Sequence, residues 1–461
     1  MARDVTDLTP IESRDELVGW FEQGQKPRSD FRIGTEHEKV PFYRLDRSPV
    51  PYRPAATERK GGIAELLDGL AQRLRWEPIV EGGNSIGLSD PTGGGAISLE
   101  PGGQFELSGA PLETVHETAR EFADHLAAVK QVAEPLGIGF LTLGMSPVWS
   151  VAETPVMPKG RYRIMANYMP KVGTRGLDMM FRTATVQTNL DFSDEADMVL
   201  KLRTTLALQP VAAALFANSP FTDGKPNGFL SARSEIWRDT DNARAGMMPF
   251  AFEKGFGFER YVDYALDVPM YFVKRGDVYH DVAGLSFRDL LAGKLSALPG
   301  ERATLSDWAN HLSTIFPEVR LKRYLEMRGE DVGPPPMVAA LSALFAGLLY
   351  DQTALDGAWE LTKSWTADDR QALRDAVPRQ GLAAPIAGRT VREVARDMLA
   401  LASEGLARRA RLDVEGRDET RFLEPLTAIV ERGRTQAEDL LDLYRGDWNG
   451  NIDRVFDACV F

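Results

Sequence analysis

Cysteine is nearly absent from this sequence. Cys459 is the single cysteine among 461 residues, so no internal disulfide can form and no cysteine-based metal cluster can be built. Histidine is also scarce, and His116, His125, His280 and His311 follow helical or loop patterns that lack the spacing of metal ligands. The composition therefore excludes disulfide scaffolds and cysteine-ligated metal centres.

An excess of basic residues is missing as well. The formal net charge is −13 and the pI is about 5.1, which argues against nucleic acid and anionic membranes as partners. The most apolar stretch, residues 337–350, is shorter than the ~20 residues needed to cross a bilayer. It follows a Gly-Pro-Pro-Pro sequence and is predicted to form a buried helix. We expect no nucleic acid and no membrane among the partners.

The first twenty residues lack the apolar core of a signal peptide and the Arg-rich character of a transit peptide. They carry several acidic residues instead. This composition predicts a cytoplasmic location.

Known phosphate-binding motifs are also absent. No stretch matches the Walker pattern, and the glycine-rich residues 81–103 lack the strand-then-helix context of a dinucleotide fingerprint. That segment holds eight glycines and two prolines, a composition typical of a loop. It is either a plain connection or a loop whose backbone N–H groups close over phosphates.

Apolar periodicity predicts an α+β fold. Spacings of three and four indicate helices over residues 10–24, 61–76, 111–136, 194–216 and most of 338–445. Shorter alternating stretches between them indicate strands. The prolines at 334–336 suggest a division between a catalytic sheet part, residues 1–333, and a mainly helical part, residues 334–461, which could also be one domain.

Four predicted strands share an unusual polar face. In a strand, residues two apart project to the same side, so Glu36 and Glu38 are neighbours on one face of the first predicted strand. Half-buried antiparallel strands often show a polar face to water, and each strand alone permits that simpler interpretation. Acids, amides and arginine dominate these faces, however, which favours a shared site. The other three faces carry Gln104 and Glu106 with Glu100 just before them; Thr183, Thr185, Gln187, Asn189 and Asp191; and Lys322, Tyr324, Glu326 and Arg328.

Convergence of these strands would place several carboxylates in one cavity, where they could not all stay ionised without cations. Oxygen ligands suit Mg²⁺, or Mn²⁺, better than zinc, and such sites commonly include nucleotide phosphates. The pattern thus predicts a magnesium and ATP site. His37 lies between the two acids of the first strand, so its side chain should face the apolar layer.

Two basic clusters interrupt the acidic chain. Each is either a solvated charged surface or a binding site for a carboxylate and a triphosphate, to which arginine is well suited. The first contains Lys159, Arg161, Arg163, Lys171 and Arg175, and the second Arg233, Arg238 and Arg244.

Long strings in the first 330 residues closely resemble the plant and α-proteobacterial type of glutamate–cysteine ligase. They are RIGTEHEK, SLEPGGQFELSGAPLET, KGRYRIMANYMPKVG, ATVQTNLDF, LALQPVAAALFANSPF and RSEIWRDTD. The resemblance implies a glutamine-synthetase-like fold, in which the concave face of a curved, mainly antiparallel sheet holds metals, glutamate and ATP. The plant enzymes are regulated through intramolecular disulfides. This chain departs from that pattern, because a single cysteine cannot form an intramolecular disulfide.

The resemblance also implies roles for individual residues. Arg233 would receive the α-carboxylate of glutamate, Arg328 would lie near the transferred phosphate, and Glu38 would join Arg328 in catalysis. Further substrate contacts are expected from Arg161, Tyr162 and Trp237, and nucleotide contacts from Lys159 and Lys322. The expected metal ligands are Glu36, Glu38, Glu100, Glu106, Gln187 and Glu326.

The implied activity is ATP-dependent joining of the glutamate γ-carboxylate to the amino group of cysteine through a γ-glutamyl phosphate, the first step of glutathione synthesis. A related ligase with another amine acceptor, or a silent metal- or nucleotide-binding protein, is the alternative. A monomer or a homodimer fits the sequence equally well.

Overall fold

The computed structural model describes residues 7–55 and 61–461. Residues 1–6 and 56–60 of the predicted catalytic part therefore lie outside the described residues. A nine-stranded sheet forms the centre of the described chain, in the order β14–β15–β7–β1–β5–β4–β3–β2, with β6 pairing the far end of β1. Every pairing in it is antiparallel. Its strands are β1 Ile33–Tyr43, β2 Glu77–Glu81, β3 Asn84–Ser89, β4 Ala96–Leu99, β5 Phe105–Ser108, β6 Ile138–Leu141, β7 Thr185–Leu190, β14 Val319–Leu321 and β15 Leu325–Asp331.

Short two-stranded pairs lie outside this sheet. One is the hairpin of β11 and β12, and the others consist of two-residue strands. Their bounds are β8 Phe221–Thr222, β9 Lys225–Pro226, β10 Ala245–Gly246, β11 Phe272–Arg275, β12 Val278–Asp281, β13 Phe316–Pro317, β16 Pro385–Ile386 and β17 Arg389–Thr390.

Helices cover the side of the sheet opposite the polar faces and extend around its edges. The helices predicted from apolar periodicity are confirmed, and several begin at a capping side chain such as Thr114, Asp194 or Thr390. The bounds are α1 Arg14–Glu22, α2 Ile63–Leu74, α3 Val115–Leu136, α4 Gly160–Tyr168, α5 Gly176–Arg182, α6 Glu195–Leu215, α7 Ala232–Ile236, α8 Phe258–Asp267, α9 Phe287–Leu291, α10 Leu305–Ser313, α11 Pro335–Leu349, α12 Gln352–Thr362, α13 Ala367–Gln380, α14 Val391–Arg409, α15 Glu424–Arg432, α16 Gln436–Arg445 and α17 Val455–Ala458.

Local sequence explains how α3 and α11 begin. Thr114 caps α3 by accepting from the Glu117 backbone N–H at 3.1 Å, while Glu117 bonds back to the Thr114 backbone. In α11 the prolines occupy the first turn, where a missing N–H costs little. The Pro-rich segment therefore starts the buried helix.

The core joins the sheet to the C-terminal helices. Apolar residues of β7 and β15, including Val186 and Met327, belong to the same buried cluster as α6, α11 and α14. A second cluster lies between α2, α3 and strands β3–β6. The division at residue 333 stays a prediction. The helices after it pack on the apolar face of the catalytic sheet.

Two apolar segments have the length and hydropathy of membrane-crossing helices among the described residues. One is α6, and the other is the bent pair of α11 and α12. In α6, 83% of the apolar window is buried inside the protein, and α11 is buried from Met337 to Leu349. Both segments are core helices of this fold.

The prediction of a loop over residues 81–103 is wrong for part of its length, because β3 and β4 lie within it. Gly87 pairs with Ser98 in this hairpin, and a Cβ at Gly87 would lie 2.4 Å from the Ile97 carbonyl oxygen. Glycine is thus needed here for close strand approach, not for flexibility.

Helices α11 and α14 meet at two glycines. A Cβ on Gly405 would lie 1.9 Å from the Gly347 carbonyl oxygen, and one on Gly347 would lie 2.3 Å from that of Ala402. We expect Gly405→Ala to lower the free energy of unfolding by about 1–3 kcal/mol through overpacking. Urea denaturation measures this change.

The matched control is Gly19→Ala in α1, where a Cβ would meet no atom within 4 Å. Its better helix propensity should raise stability by up to about 1 kcal/mol. Equal effects of the two substitutions would contradict the proposed close packing.

Candidate active site

An open cavity of about 1200 Å³, counting its mouth, lies on the polar face of the sheet. Strand register brings the predicted carboxylates together there: Glu38 pairs with Glu106 across β1 and β5, and Glu36 pairs with Gln187 across β1 and β7. The predicted site residues that line it are Glu36, Glu38, Glu100, Glu106, Arg161, Tyr162, Gln187, Arg233, Trp237, Lys322, Glu326 and Arg328.

The carboxylates of β1 and β5 are held by neutral donors. Asn189 donates its side-chain amide to Glu36 Oε1 at 2.8 Å, the Thr185 backbone N–H donates to Glu38 Oε2 at 3.0 Å, and Ser98 donates its hydroxyl to Glu106. These bonds fix the acids in place without cancelling their charge. The floor of the site is therefore formed by carboxyl groups held by neutral hydrogen-bond donors.

Burial and mutual repulsion raise the pKa of two of these acids. Desolvation is the larger cause for both. Glu326 and Glu106 add to the raised pKa of Glu36, whereas Glu100 and Glu106 add to the strongly raised pKa of Glu38. A bound cation would relieve both effects.

Glu326 has a different environment. Arg320 Nη2 lies 2.9 Å from its Oε1, Lys322 Nζ lies 3.4 Å from its Oε2, and Arg328 Nη1 lies 3.3 Å from its Oε1. Burial alone would raise the pKa of Glu326, but these three cations hold it well below its ordinary value. Glu326 is thus a compensated anion at the edge of the site.

Arg320 was missed in the sequence, although it completes this cluster. The fourth predicted strand, which was to carry Lys322 and Arg328 on one face, is not a single strand: β14 and β15 form an antiparallel hairpin, with Lys322 in its turn. Arg320 pairs with Glu326 across that hairpin. Extending the polar alternation two residues upstream to Arg320 would have found it.

Arginines 233 and 328 lie beside the carboxylates. Arg233 donates Nη2 to the Arg328 carbonyl oxygen at 2.8 Å, while Arg328 donates Nη1 to Gln187 Oε1 at 3.3 Å. The Trp237 ring contacts both guanidinium groups at 6.0 and 5.8 Å. Among the described residues, Arg233 Nε and Trp237 Nε1 are buried donors without an acceptor, and both suit an anionic substrate.

Lys159 does not line the cavity. Its ammonium donates to the Leu99 carbonyl oxygen at 2.8 Å and to the Tyr162 hydroxyl at 3.2 Å, and burial lowers its pKa to about 8. Arg161 lies over the Tyr162 ring at 5.3 Å. Lys159 therefore supports the wall of the site from behind.

Some residues of the predicted polar faces have structural roles. Gln104 bonds the Thr183 carbonyl oxygen at 2.8 Å, and Asp191 pairs with Lys26 at 2.9 Å. Outside the site, Arg244 bonds Asp241 at 2.6 Å. His37 faces the apolar side of the sheet, as expected, where its ring meets Phe122.

The donor set fits a hard divalent cation, although it forms no closed cage. Acidic oxygens predominate, and Glu106 repels both Glu36 and Glu38, so these acids form one continuous cluster. Within residues 7–55 and 61–461, no three acidic, histidine or cysteine side chains are close enough to form a ready-made metal site. Oxygens from a bound nucleotide would be needed to complete the coordination.

Comparison with known proteins identifies the family. The model of glutamate-cysteine ligase family 2 matches residues 32–458. The chain belongs to this family. It is 56% identical to the glutamate–cysteine ligase, chloroplastic, of Nicotiana tabacum, over 97% of the chain and 83% of the relative. It is 53% identical to glutamate–cysteine ligase B, chloroplastic, of Oryza sativa subsp. japonica, over 99% of the chain and 89% of the relative.

A solved structure confirms the fold. The glutamate–cysteine ligase of Francisella tularensis, crystallised in complex with AMP, superposes with a TM-score of 0.59 at 15% identity, covering 94% of this chain and 88% of that one. The predicted α+β, glutamine-synthetase-like architecture is correct. The family match and the plant relatives also confirm the expected ATP-dependent glutamate–cysteine ligase, with glutamate, cysteine and ATP as substrates.

The predicted cytoplasmic location is wrong. The plant relatives that match nearly the whole chain are named as chloroplastic proteins. The prediction failed because it used overall composition and the first residues, neither of which determines the compartment of a folded enzyme. The match covers 83% of the tobacco relative, so part of that protein lies outside the comparison.

The Arg320–Glu326 pair is open to a direct stability test. We expect Arg320→Met to lower the free energy of unfolding by about 3 kcal/mol, because breaking a buried pair leaves an under-compensated charge. Urea unfolding at neutral pH measures the loss. In the Glu326→Gln background the same Arg320→Met substitution should cost less, because the ionic partner of Arg320 is already absent.

Arg417→Met serves as the control, because Arg417 forms surface ion pairs with Asp413 and Glu415 and should cost less than about 1 kcal/mol. A comparable loss in Arg320→Met and Arg417→Met would refute the buried-pair account.

Proposed function

We propose that the cavity on the sheet is the catalytic site of this glutamate–cysteine ligase, with the carboxylates on its floor and the arginines in its wall in distinct roles. The observation that supports this most is the convergence of Glu36, Glu38 and Glu106 opposite Arg233 and Arg328 in one open space. The cavity thereby places acidic and basic side chains close together, as a reaction between an amino acid and a nucleoside triphosphate requires.

Glutamate would bind with its α-carboxylate at Arg233. The free Nε of this buried arginine and its fixed Nη2 give it a defined orientation, and arginine favours planar carboxylates. Trp237 and Arg161 would complete the amino-acid site. The γ-carboxylate would then point toward the acidic floor, where the nucleotide phosphates are expected.

Magnesium, or manganese, would be held by two groups of oxygens. Glu38, Glu100 and Glu106 form the first, and Glu36, Gln187 and Glu326 form the second. Glu326 is already neutralised by three cations. We therefore propose that at least one of these ion pairs breaks when Glu326 binds the metal. When bound, the metal would neutralise phosphate oxygens and fix the nucleotide.

The chemistry has two steps. The glutamate γ-carboxylate attacks the γ-phosphorus of ATP, so that a new O–P bond forms while the bond to ADP breaks. The cysteine amine then attacks the carbonyl carbon of the acyl phosphate: a C–N bond forms, the C–O bond breaks, inorganic phosphate leaves, and the nitrogen loses a proton. Arg328 would neutralise charge on the transferred group and Lys322 would contact the nucleotide, which makes positioning and electrostatics the main contributions of the protein.

Lys159, predicted to contact the nucleotide, is better placed to support Tyr162, and its nucleotide role stays a prediction. The choice between monomer and homodimer also stays a prediction.

Acceptor specificity can be tested with the purified protein. With ATP, Mg²⁺ and glutamate present, phosphate release should require cysteine, and competing amines added singly should support much less. Product formation is followed by mass spectrometry. Phosphate release that is the same without any amine would instead indicate a phosphohydrolase.

The role of Arg233 predicts a selective defect. Arg233→Lys should raise the KM for glutamate about 10- to 100-fold, because a charged hydrogen bond worth about 1.5–3 kcal/mol is lost. The KM for ATP should change little. Arg163→Lys is the control, since Arg163 is exposed on α4. Equal increases in both KM values would argue against carboxylate binding at Arg233.

The metal role predicts a shifted magnesium requirement. Glu38→Gln should raise the Mg²⁺ concentration needed for half-maximal activity by at least about tenfold, whereas Glu22→Gln, on the exposed face of α1, should not change it. Chelation by EDTA should abolish activity, and added Mg²⁺ should restore it. An unchanged magnesium titration for Glu38→Gln would remove Glu38 from the ligand set.

A further inference from the structure

Strand β15 contains a bulge behind the catalytic arginines. Met327 pairs with Thr188 of β7, but the next pair joins Glu330 to Val186. Arg328 and Gly329 therefore lie opposite the single residue Gln187. In a regular strand Glu330 would face the cavity and Asp331 would face α6; the extra residue reverses both.

On the cavity side, the bulge provides the acceptor that orients Arg233. The Arg328 carbonyl oxygen receives Arg233 Nη2 at 2.8 Å. Asp331 also faces this side and accepts from the Ser231 hydroxyl at 2.9 Å, and Ser231 caps the helix that carries Arg233. The position of Arg233 thus depends on the shape of β15.

On the opposite side, the bulge rests on Gln209 of α6. Gln209 donates Nε2 to Glu330 Oε1 at 2.5 Å, and a Cβ on Gly329 would lie 2.5 Å from the same nitrogen. Both side chains are essentially inaccessible to solvent. Glu330 Oε2 and Gln209 Oε1 have no hydrogen-bond partner among the described residues.

These two orphan oxygens are both acceptors when Glu330 is ionised. A protonated Glu330 can instead donate its O–H to Gln209 Oε1, which would close a two-bond ring between a carboxylic acid and a carboxamide. Burying an unpaired carboxylate and an unpaired carbonyl oxygen is costly, and the ring removes both costs.

The charged groups that face Glu330 do not offset this burial. Desolvation is the main cause that raises the pKa of Glu330 to about 8; Arg233 opposes the rise and Glu318 adds to it. Glu318 is itself paired with Arg374 of α13 at 2.6 Å, and Arg233 is bound to the Arg328 carbonyl oxygen. Gln209 is the group from α6 that bonds the acid directly.

We propose that Glu330 is a positioning residue that acts as a neutral acid: paired with Gln209, it braces the β15 bulge and so orients Arg233 and Arg328 for glutamate binding and phosphoryl transfer. This inference rests on the role proposed above for Arg233. Its protonation state and its bracing contact can be measured without turnover.

The first test compares the wild type with Glu330→Gln, which keeps a neutral side chain of the same shape. At about pH 7 the infrared difference spectrum should show the carbonyl band of one un-ionised carboxylic acid, present in the wild type and missing in the variant. Absence of this band from the wild type would overturn the proposal, whether or not the protein is an active ligase.

Stability provides a second readout independent of activity. Between its ordinary pKa of 4.5 and about 8, folded Glu330 keeps a proton that the unfolded chain has released. The free energy of unfolding of the wild type, relative to Glu330→Gln, should therefore fall as pH rises through this window and level off above it. A difference that is constant or rises with pH would contradict a neutral Glu330.

Kinetics tests the consequence for the site. Glu330→Gln should keep the KM for glutamate within about twofold at neutral pH, while Gln209→Leu should raise it about tenfold, equivalent to about 1.4 kcal/mol. The exchanged pair Gln209→Glu/Glu330→Gln restores an acid opposite an amide and should behave like the wild type.

Above about pH 8 the wild type should lose affinity for glutamate more steeply than Glu330→Gln does, because Glu330 ionises in that range. If Glu330→Gln and the exchanged pair are as impaired as Gln209→Leu at neutral pH, the brace does not require the neutral acid and the proposal fails.

Discussion

The architecture of this enzyme depends on keeping several like charges close together on one buried face of a sheet. Antiparallel register places Glu38 beside Glu106 and Glu36 beside Gln187, and burial makes each ionised acid costly. Glu326 is stabilised by three protein cations, while Glu36 and Glu38 are held by neutral donors alone. Glu36 and Glu38 are the acids whose charge the proposed metal would offset, which would link the stability of this face to ligand binding.

Apolar packing on the opposite face of the sheet offsets the free-energy cost of burying these acids. Strands β7 and β15 present apolar side chains to α6 and α11, and the tight approach of α11 to α14 at Gly347 and Gly405 fixes that layer. The C-terminal helices thus support the strands that carry the active-site residues, although the helices themselves contribute no side chain to the cavity lining.

Sequence reasoning predicted the chemistry of the site better than its geometry. Alternation with a period of two placed Glu36, Glu38, Glu106 and Gln187 on polar faces, because side-chain direction in a strand follows from local backbone geometry alone. It could not give strand order or register, which depend on contacts between distant segments. For the same reason the hairpin that brings Arg320 to Glu326 was missed, and the glycine-rich hairpin of β3 and β4 was taken for a loop.

The bulge in β15 shows a further limit of pattern reading. A version of this strand that lacked Gly329 would keep Glu326, Arg328, Glu330 and Asp331 on their present faces, since regular alternation would then give the same pattern. The Arg328 carbonyl, however, would return to the strand ladder and would no longer meet Arg233. Among related chains, a single missing residue at this point would therefore signal an altered glutamate site more clearly than any substitution in the aligned motif.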